Sequence, residues 1–358
     1  MTRILCVPLF LLMAAVPTAR ASDAGRIAAF DGTIAGRTTA DWSVVVVSDE
    51  LDYPWQIARS EGQFILTEKA GNIVVLERGR MRRYRLETSQ PLTDEGGSGL
   101  LGMALSKDFR ESGIVYLFHS YRSGSGLSNR VIRARFDGTS WREIGILVDG
   151  IPGHRLYNGG RIAIGPDGHL YVTTGWTENR EWPQRVDSLA GKILRVTLDG
   201  RVPEDNPFKG SPVYSLGHRN PQGLAWNAAG ELFVAEHGQT ALDEVNLVRP
   251  GANYGWPAVS GDETRRGTEP PFLHSGRATW APSGIAFAGS ELLMTALQAR
   301  GLHVLDGKSK RLSLVFTSNE RLRDVHVSGQ DLYVITTSRS PRAEGPSRDR
   351  LLRLSPRS

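Results

Sequence analysis

Past residue 50 the chain alternates short apolar runs with polar turns and sustains no helical period. The clearest unit is Gly160-Arg161-Ile162-Ala163-Ile164, a turn at Gly165-Pro166-Asp167-Gly168, then Leu170-Tyr171-Val172-Thr173-Thr174. It reads as strand, tight turn, strand, with Lys192-Ile193-Leu194-Arg195-Val196 as a third strand. Comparable units begin near Trp55, Leu101, Gly223, Gly284 and Asp324. Phe64, Tyr116, Tyr171, Phe233, Leu293 and Tyr333 are then equivalent and recur about every 55 residues. Radially repeated antiparallel sheets of this size are propeller blades. The pattern therefore predicts an all-β chain folded as a six-bladed β-propeller, one domain over residues 22–358, rather than paired sandwiches. The segment ahead of the first unit is expected to supply the strand that closes the ring, and residues 339–350 read as a polar loop.

Residues 1–21 break the pattern. Arg3 precedes an apolar run from Ile4 to Val16, and Ala19 and Ala21 stand at the small-residue positions before Ser22. This is the layout of a cleavable export signal; a run this short does not span the roughly 30 Å of a bilayer core. A periplasmic or secreted protein with no membrane span is expected. The one cysteine, Cys6, leaves with the leader, so disulfides and Cys-ligated metals are excluded from the mature chain. Loss of Arg3 and Arg20 takes the formal charge from +5 to +3. The remaining basic residues are scattered among acids, which argues against nucleic acid as partner. A monomer or weak dimer is expected.

In a propeller the innermost strand of every unit begins on one face, beside the central channel. Superposing the units thus gathers Tyr157-Asn158-Gly159, His218-Arg219-Asn220, Trp280, Gln298, and Arg321 with Arg323 around one mouth. Guanidinium forks suit carboxylates, an indole suits a flat ring, and glycines let backbone approach closely. The set points to a flat, polyanionic, aromatic ligand.

At these residues the sequence resembles the soluble quinoprotein aldose (glucose/sorbosone-type) dehydrogenases that use pyrroloquinoline quinone (PQQ). The stretches GGSGLLGMAL, YNGGRIAIGPDGHLYVTTG, GHRNPQGLAW, DEVNL followed by NYGWP, WAPSGIAF and RLRDV occur in the family's order. The resemblance implies a six-bladed propeller holding PQQ and calcium, and oxidation of an aldose at its anomeric carbon to the lactone. Electrons then pass to an acceptor. It further implies that Arg219 and Asn220 contact the quinone near its reactive carbonyl. Arg321 and Arg323 would bind its carboxylates, and Trp280 would line the pocket. Gly238 and Gln239 would offer carbonyls to calcium, a hard cation that takes oxygen ligands. Glu244 and Tyr254 match positions that hold a second calcium in relatives; a strand charge and a core aromatic are the alternative reading of that pair.

The departures from the family lie at the chemistry. Tyr157 stands where the family has its general-base histidine, and a phenol ordinarily titrates near pH 10, a poor base at neutrality. Trp176 replaces an acid, and Gln298 replaces a cationic cofactor contact, with Arg300 nearby. His154, His218 and His237 are candidate substitute bases. Two readings follow: an active dehydrogenase whose base is Tyr157 or a relocated histidine, and a propeller that binds quinone or sugar without turnover. A calcium-dependent lactonase would need a central acidic cluster, for which the ends of the second strands, which open on the same face, offer mainly Glu68 and Glu236. Protein recovered from a bacterial periplasm is expected to begin at Ser22, which N-terminal sequencing or intact mass reads directly.

Overall fold

The computed structural model describes residues 30–357 apart from 31, 125, 308 and 344–346; the leader read over residues 1–21, with Cys6, lies outside the described residues. Strands dominate, interrupted by one four-residue α-helix, Phe109–Ser112, and two short 3-10 turns among the described residues. No described helix is long and apolar enough to cross a membrane.

Three of the sheets are four-stranded meanders that begin with Gly159–Ile164, Pro221–Trp226 and Pro282–Ala288. A fourth joins the two ends of the chain. It runs Arg321–Ser328, Asp331–Thr337, Asp349–Pro356, and takes its outer strand, Trp42–Leu51, from the N-terminal side. The expected closing strand is therefore present, and the loop expected over 339–350 ends earlier, because Asp349 already pairs with Leu51. An eight-stranded sheet holds two further meanders, which begin with Pro54–Ser60 and Leu100–Leu105. Their outer strands, Arg80–Glu87 and Trp141–Pro152, join in parallel at Leu86 with Trp141 and Glu87 with Arg142.

The first strands of successive meanders touch one another in turn, and Arg321–Ser328 returns to Pro54–Ser60. The ring is tight. A Cβ on Gly223 would stand 2.4 Å from the Ser283 carbonyl oxygen, so no larger residue fits where those strands meet. Apolar residues collect between neighbouring sheets rather than in one central mass. Leu101, Phe118, Ile162 and Val172 fill one such interface, and Leu66, Val74, Tyr333 and Ile335 fill another. Trp42 seals the closure: it is 1% exposed and its indole N–H donates to the Val315 carbonyl at 3.0 Å.

Every first strand carries a register shift close to its start. The shifts fall between Pro54 and Gln56, Leu100 and Met103, Gly159 and Ile162, Pro221 and Gly223, Pro282 and Ile285, and Leu322 and Asp324. A bulge re-aims a side chain out of the normal alternation. Here residues within the shifts meet in the channel. The Arg161 guanidinium lies over the Trp55 ring at 4.2 Å, and Arg323 lies 5.9 Å from the same ring. Arg161 donates through Nε to the Gln222 carbonyl at 2.8 Å, and Arg323 donates through Nη1 to Gln222 Oε1 at 2.8 Å. Asp324 pairs with Arg161 at 3.2 Å and accepts the Ile57 backbone N–H at 2.8 Å. This plug ties four meanders together across the axis. Asp324→Ala would leave Arg161 buried without its counter-charge and is expected to cost about 3–5 kcal/mol. Urea unfolding measures this, and a loss below about 1 kcal/mol would show that the channel pair does not hold the ring.

Candidate functional site

Above the plug, on the face where the first strands begin, opens a cavity of about 580 Å³. Tyr157, Asn220, Gln298, Arg321 and Arg323 all line it, so five side chains spread over 167 positions of sequence reach one space. Gln222, His237 and the loop residues Ser340 and Arg342 line it too. Gln222 ends the His218–Gln222 stretch that superposition of the units puts at this mouth, but an uncharged side chain gave no sign of its own role there. Ser340 and Arg342 were missed because a loop has no repeat to place it.

Arg219 stands behind Tyr157. Its guanidinium lies 4.7 Å from the Tyr157 ring, 5.2 Å from Trp256 and 5.7 Å from Trp176, so three aromatic faces enclose one cation. Trp176 and Trp256 meet edge to face at 5.1 Å. Burial pulls the Arg219 pKa below its ordinary value. The backbone fixes the cage: Trp176 N–H donates to the Arg219 carbonyl at 2.8 Å, and Arg219 N–H donates to Glu236 at 2.7 Å. Gly175 seats Tyr157, since a Cβ there would fall 1.9 Å from the Tyr157 carbonyl oxygen.

Asn220 is oriented from both ends. Its Oδ1 accepts the Gly159 N–H at 3.1 Å, which turns its amide nitrogen toward His237 at 3.5 Å. His237 donates from Nε2 to the Pro282 carbonyl at 2.7 Å, and burial pushes its pKa down to about 4. The other two candidate bases are placed differently. His218 is fully buried, with one ring nitrogen on Ser215 Oγ and the other on Glu236, both at 2.8 Å. It braces the strand and does not line the cavity. His154 stacks on Tyr157 at 5.5 Å, but its Nδ1 accepts the Leu156 N–H and its Nε2 faces Glu178 at 3.4 Å.

The acids that a lactonase centre would need are committed elsewhere. Glu68 holds Arg83 through two bonds of 2.7 and 2.8 Å. Burial pushes the Glu236 carboxyl up, but His218, the Arg219 N–H and Asn246 carry it below its ordinary value. Trp280 does not present its indole among the lining residues: it packs on the cluster of Phe233 and Ile285, while Thr279 and Ala281 line the cavity. Arg300 is exposed and donates to the Asn319 carbonyl at 3.4 Å, away from the lining set.

The loop carrying Gly238 and Gln239 is organised by Asp243, a residue the sequence did not single out. Its carboxylate accepts the N–H of Gly238 at 2.9 Å, of Trp280 at 2.6 Å and of Ala281 at 2.8 Å. Glu244 and Tyr254 are linked through a buried chain. The Tyr254 ring stacks on His218 at 4.9 Å, His218 meets Glu236, and Asn246 donates to both Glu236 and Glu244. The Tyr254 hydroxyl donates to the Leu247 carbonyl at 2.7 Å, and Gly261 N–H donates to Glu244 at 2.9 Å. No group of three or more His, Cys, Asp or Glu side chains suited to a metal occurs among the described residues. A cation at this loop would rest on carbonyl oxygens.

The cavity has an unmet demand for negative charge. The Nε–H groups of Arg219, Arg321 and Arg323 are buried and have no acceptor. No carboxylate forms an ion pair with Arg321 or Arg323 among the described residues, and burial pulls both guanidinium groups below their ordinary pKa. A flat molecule with several carboxylates fits these donors and this volume.

Known proteins are similar in sequence and in fold. The profile of a family described as Glucose / Sorbosone dehydrogenase matches residues 51–344. The chain is 29% identical over 366 residues to aldose sugar dehydrogenase YliI of Escherichia coli (strain K12), covering 88% of this chain and 93% of that one. Quinoprotein glucose dehydrogenase B of Acinetobacter calcoaceticus is 34% identical over 235 residues, covering 56% of this chain and 49% of that one. The PQQ-bound form of aldose sugar dehydrogenase from Streptomyces coelicolor superposes with a TM-score of 0.78 at 34% identity, over 89% of this chain and 99% of that one.

Glu244 gives this region a pH signature. Burial, then the nearby charge of Glu236, pushes its carboxyl from 4.5 up to about 8. Between those values the native state holds a proton that the unfolded chain has released, so stability falls as pH rises through the window. Glu244→Gln is expected to flatten that fall, gaining on the order of a few kcal/mol at pH 8 relative to the parent. Urea unfolding in calcium-free buffer at pH 5 and pH 8 measures it; equal slopes for parent and variant would refute the assignment.

Proposed function

The chain belongs to the glucose/sorbosone dehydrogenase family, and from that premise we propose that it is an exported quinoprotein oxidoreductase built on a six-bladed β-propeller. Its substrate is an aldose, oxidised at the anomeric carbon to the lactone. The observation that carries this reading is one cavity lined by Arg321 and Arg323, neither of which pairs with a carboxylate among the described residues, with Arg219 close behind Tyr157 and the Nε–H of all three lacking an acceptor. When bound there, PQQ supplies the hydride acceptor and calcium the Lewis acid that polarises it.

The chain's own residues have separable tasks. Arg321 and Arg323, two residues apart on one strand, hold the carboxylates of the ligand. Gln222 fixes the direction of Arg323 from below. Asn220, locked by Gly159 and His237, keeps an amide N–H for the reactive carbonyl, and Arg219 sets positive charge behind it. Gly238 and Gln239 offer carbonyls to calcium, on a loop whose shape Asp243 sets. Glu244 and Tyr254 are the residues for a second calcium, which would have to use the Tyr254 backbone carbonyl and the Glu244 lone pairs left beside the bonds from Gly261 and Asn246. Trp280 limits the cavity through its flanking residues, and Gln298 adds a neutral polar contact. The substrate hydroxyl proton would pass to Tyr157 as its phenolate, which first requires release of the phenol's own proton to solvent; the Tyr157 ring lies on the Arg219 cation.

A second reading, binding without turnover, has its own observation. His218 has both ring nitrogens engaged, those of His154 meet the Leu156 N–H and Glu178, and His237 donates to the Pro282 carbonyl while its Nδ1 faces the Asn220 amide at 3.5 Å. The two readings separate in one experiment. Purified protein is titrated with PQQ and calcium, and dye reduction is followed over a panel of aldoses. PQQ is expected to bind, and Arg323→Ala to weaken it about 30-fold or more. Turnover is expected to rise about 100-fold in Tyr157→His. Absence of PQQ binding would sink both readings; binding with no turnover on any sugar, restored by Tyr157→His, would establish the second.

A further inference from the structure

The strand directions place a second cavity on the opposite face of the ring. Tyr157, Asn220 and Arg321 stand where first strands begin, whereas this cavity is lined from the turn ends of the two meanders that share the eight-stranded sheet. Its volume is about 460 Å³. One wall is the outer strand Arg80–Glu87, on which residues two apart share a face. Arg80, Arg82 and Tyr84 face the cavity, joined by Arg78 from the preceding turn. Their neighbours Arg83 and Arg85 bond instead to Glu68 and to the Ala70 carbonyl. Among the described residues no ion pair or hydrogen bond engages Arg78, Arg80 or Arg82, and Glu77 is the one acid of the lining.

The opposite wall is aromatic. Trp141 lies between Phe136 at 4.7 Å and Phe109 at 6.0 Å, stacked on both, and Phe136 meets Tyr84 edge-on at 5.2 Å. Trp141 is fully buried at the seam of the two meanders, and its indole N–H has no acceptor. Comparable wedges between other meanders lack this combination. One has its acid, Asp167, bonded to Arg195, and another is lined by Phe233, Phe272 and Phe287.

We propose that this cavity is an accessory binding site for a small aromatic carboxylate of about two fused rings. The carboxylates meet Arg80 and Arg82, and the ring system lies against Phe136 and Tyr84. The site does not depend on the proposed quinone chemistry, and the probe's competition with PQQ keeps the two apart.

Calorimetric titration of the full-length mature protein with naphthalene-2,6-dicarboxylate tests it. Binding is expected with a Kd below about 1 mM, unchanged when PQQ is saturating and unchanged in Arg321→Ala. The double variant Arg80→Ala/Arg82→Ala, both exposed positions, is expected to weaken it at least about tenfold. Tyr84→Ala, which removes a ring the ligand lies against, should weaken it several-fold; if that variant does not fold, the arginine pair alone decides. No binding below about 1 mM, displacement by PQQ, or an unchanged Kd in the double variant would each overturn the proposal.

Discussion

The structure depends on how it keeps positive charge at its axis. Arg161 and Arg323 are almost fully buried, share the faces of Trp55, and rely on Asp324 and Gln222 for polar contact. Buried cations are costly unless paired and hydrogen-bonded. Asp324 answers Arg161 and leaves Arg323 without a carboxylate of its own. The channel is thus stable enough to hold the ring together and still short of negative charge at its upper end. That shortage defines the cavity: the same arginine that helps plug the axis presents its unanswered side to a ligand.

The changes around Tyr157 belong to one packing unit. Tyr157, Trp176 and Trp256 together enclose Arg219, whose backbone is tied to Trp176 and Glu236. The phenol at Tyr157 and the indole at Trp176, the two positions where the family resemblance implies an imidazole and an acid, are thus packed against the same cation. The cage replaces polar neighbours of a guanidinium with aromatic faces, which keeps the cation dry and fixed. Restoring one residue of such a unit tests chemistry, but it also alters the packing of its partners, which is why cofactor affinity and turnover have to be read separately.

Much of the fold was legible because strands and turns leave a period in the sequence. The runs near Trp55, Leu101, Gly160, Gly223, Gly284 and Asp324 all became first strands, and the N-terminal segment supplied the closing strand. The gathering of Tyr157, Asn220, Gln298, Arg321 and Arg323 was legible for the same reason, since superposed repeats share a face. His218 was not legible as structural: a histidine in a loop motif gives no sign that both ring nitrogens will be satisfied by Ser215 and Glu236. Trp280 looked like a ligand platform because the superposed units place it at the mouth and an indole suits a flat ring, while in the structure it packs on the core and only its neighbours line the cavity.

By itself, then, the sequence determined the repeat, the face on which the candidate site residues gather and the family, because each is a matter of residue type and spacing along one chain. Only the tertiary structure decided which side chains point inward. The bulge at the start of each first strand breaks the two-residue alternation at that point, so Trp55, Arg161, Gln222 and Arg323 leave the faces their spacing assigns and meet on the axis. The same holds for the Arg219 cage and for the joining of two meanders at Leu86 and Trp141. These contacts link residues far apart in sequence, and their partners are chosen by the closure of the ring, which no local pattern encodes.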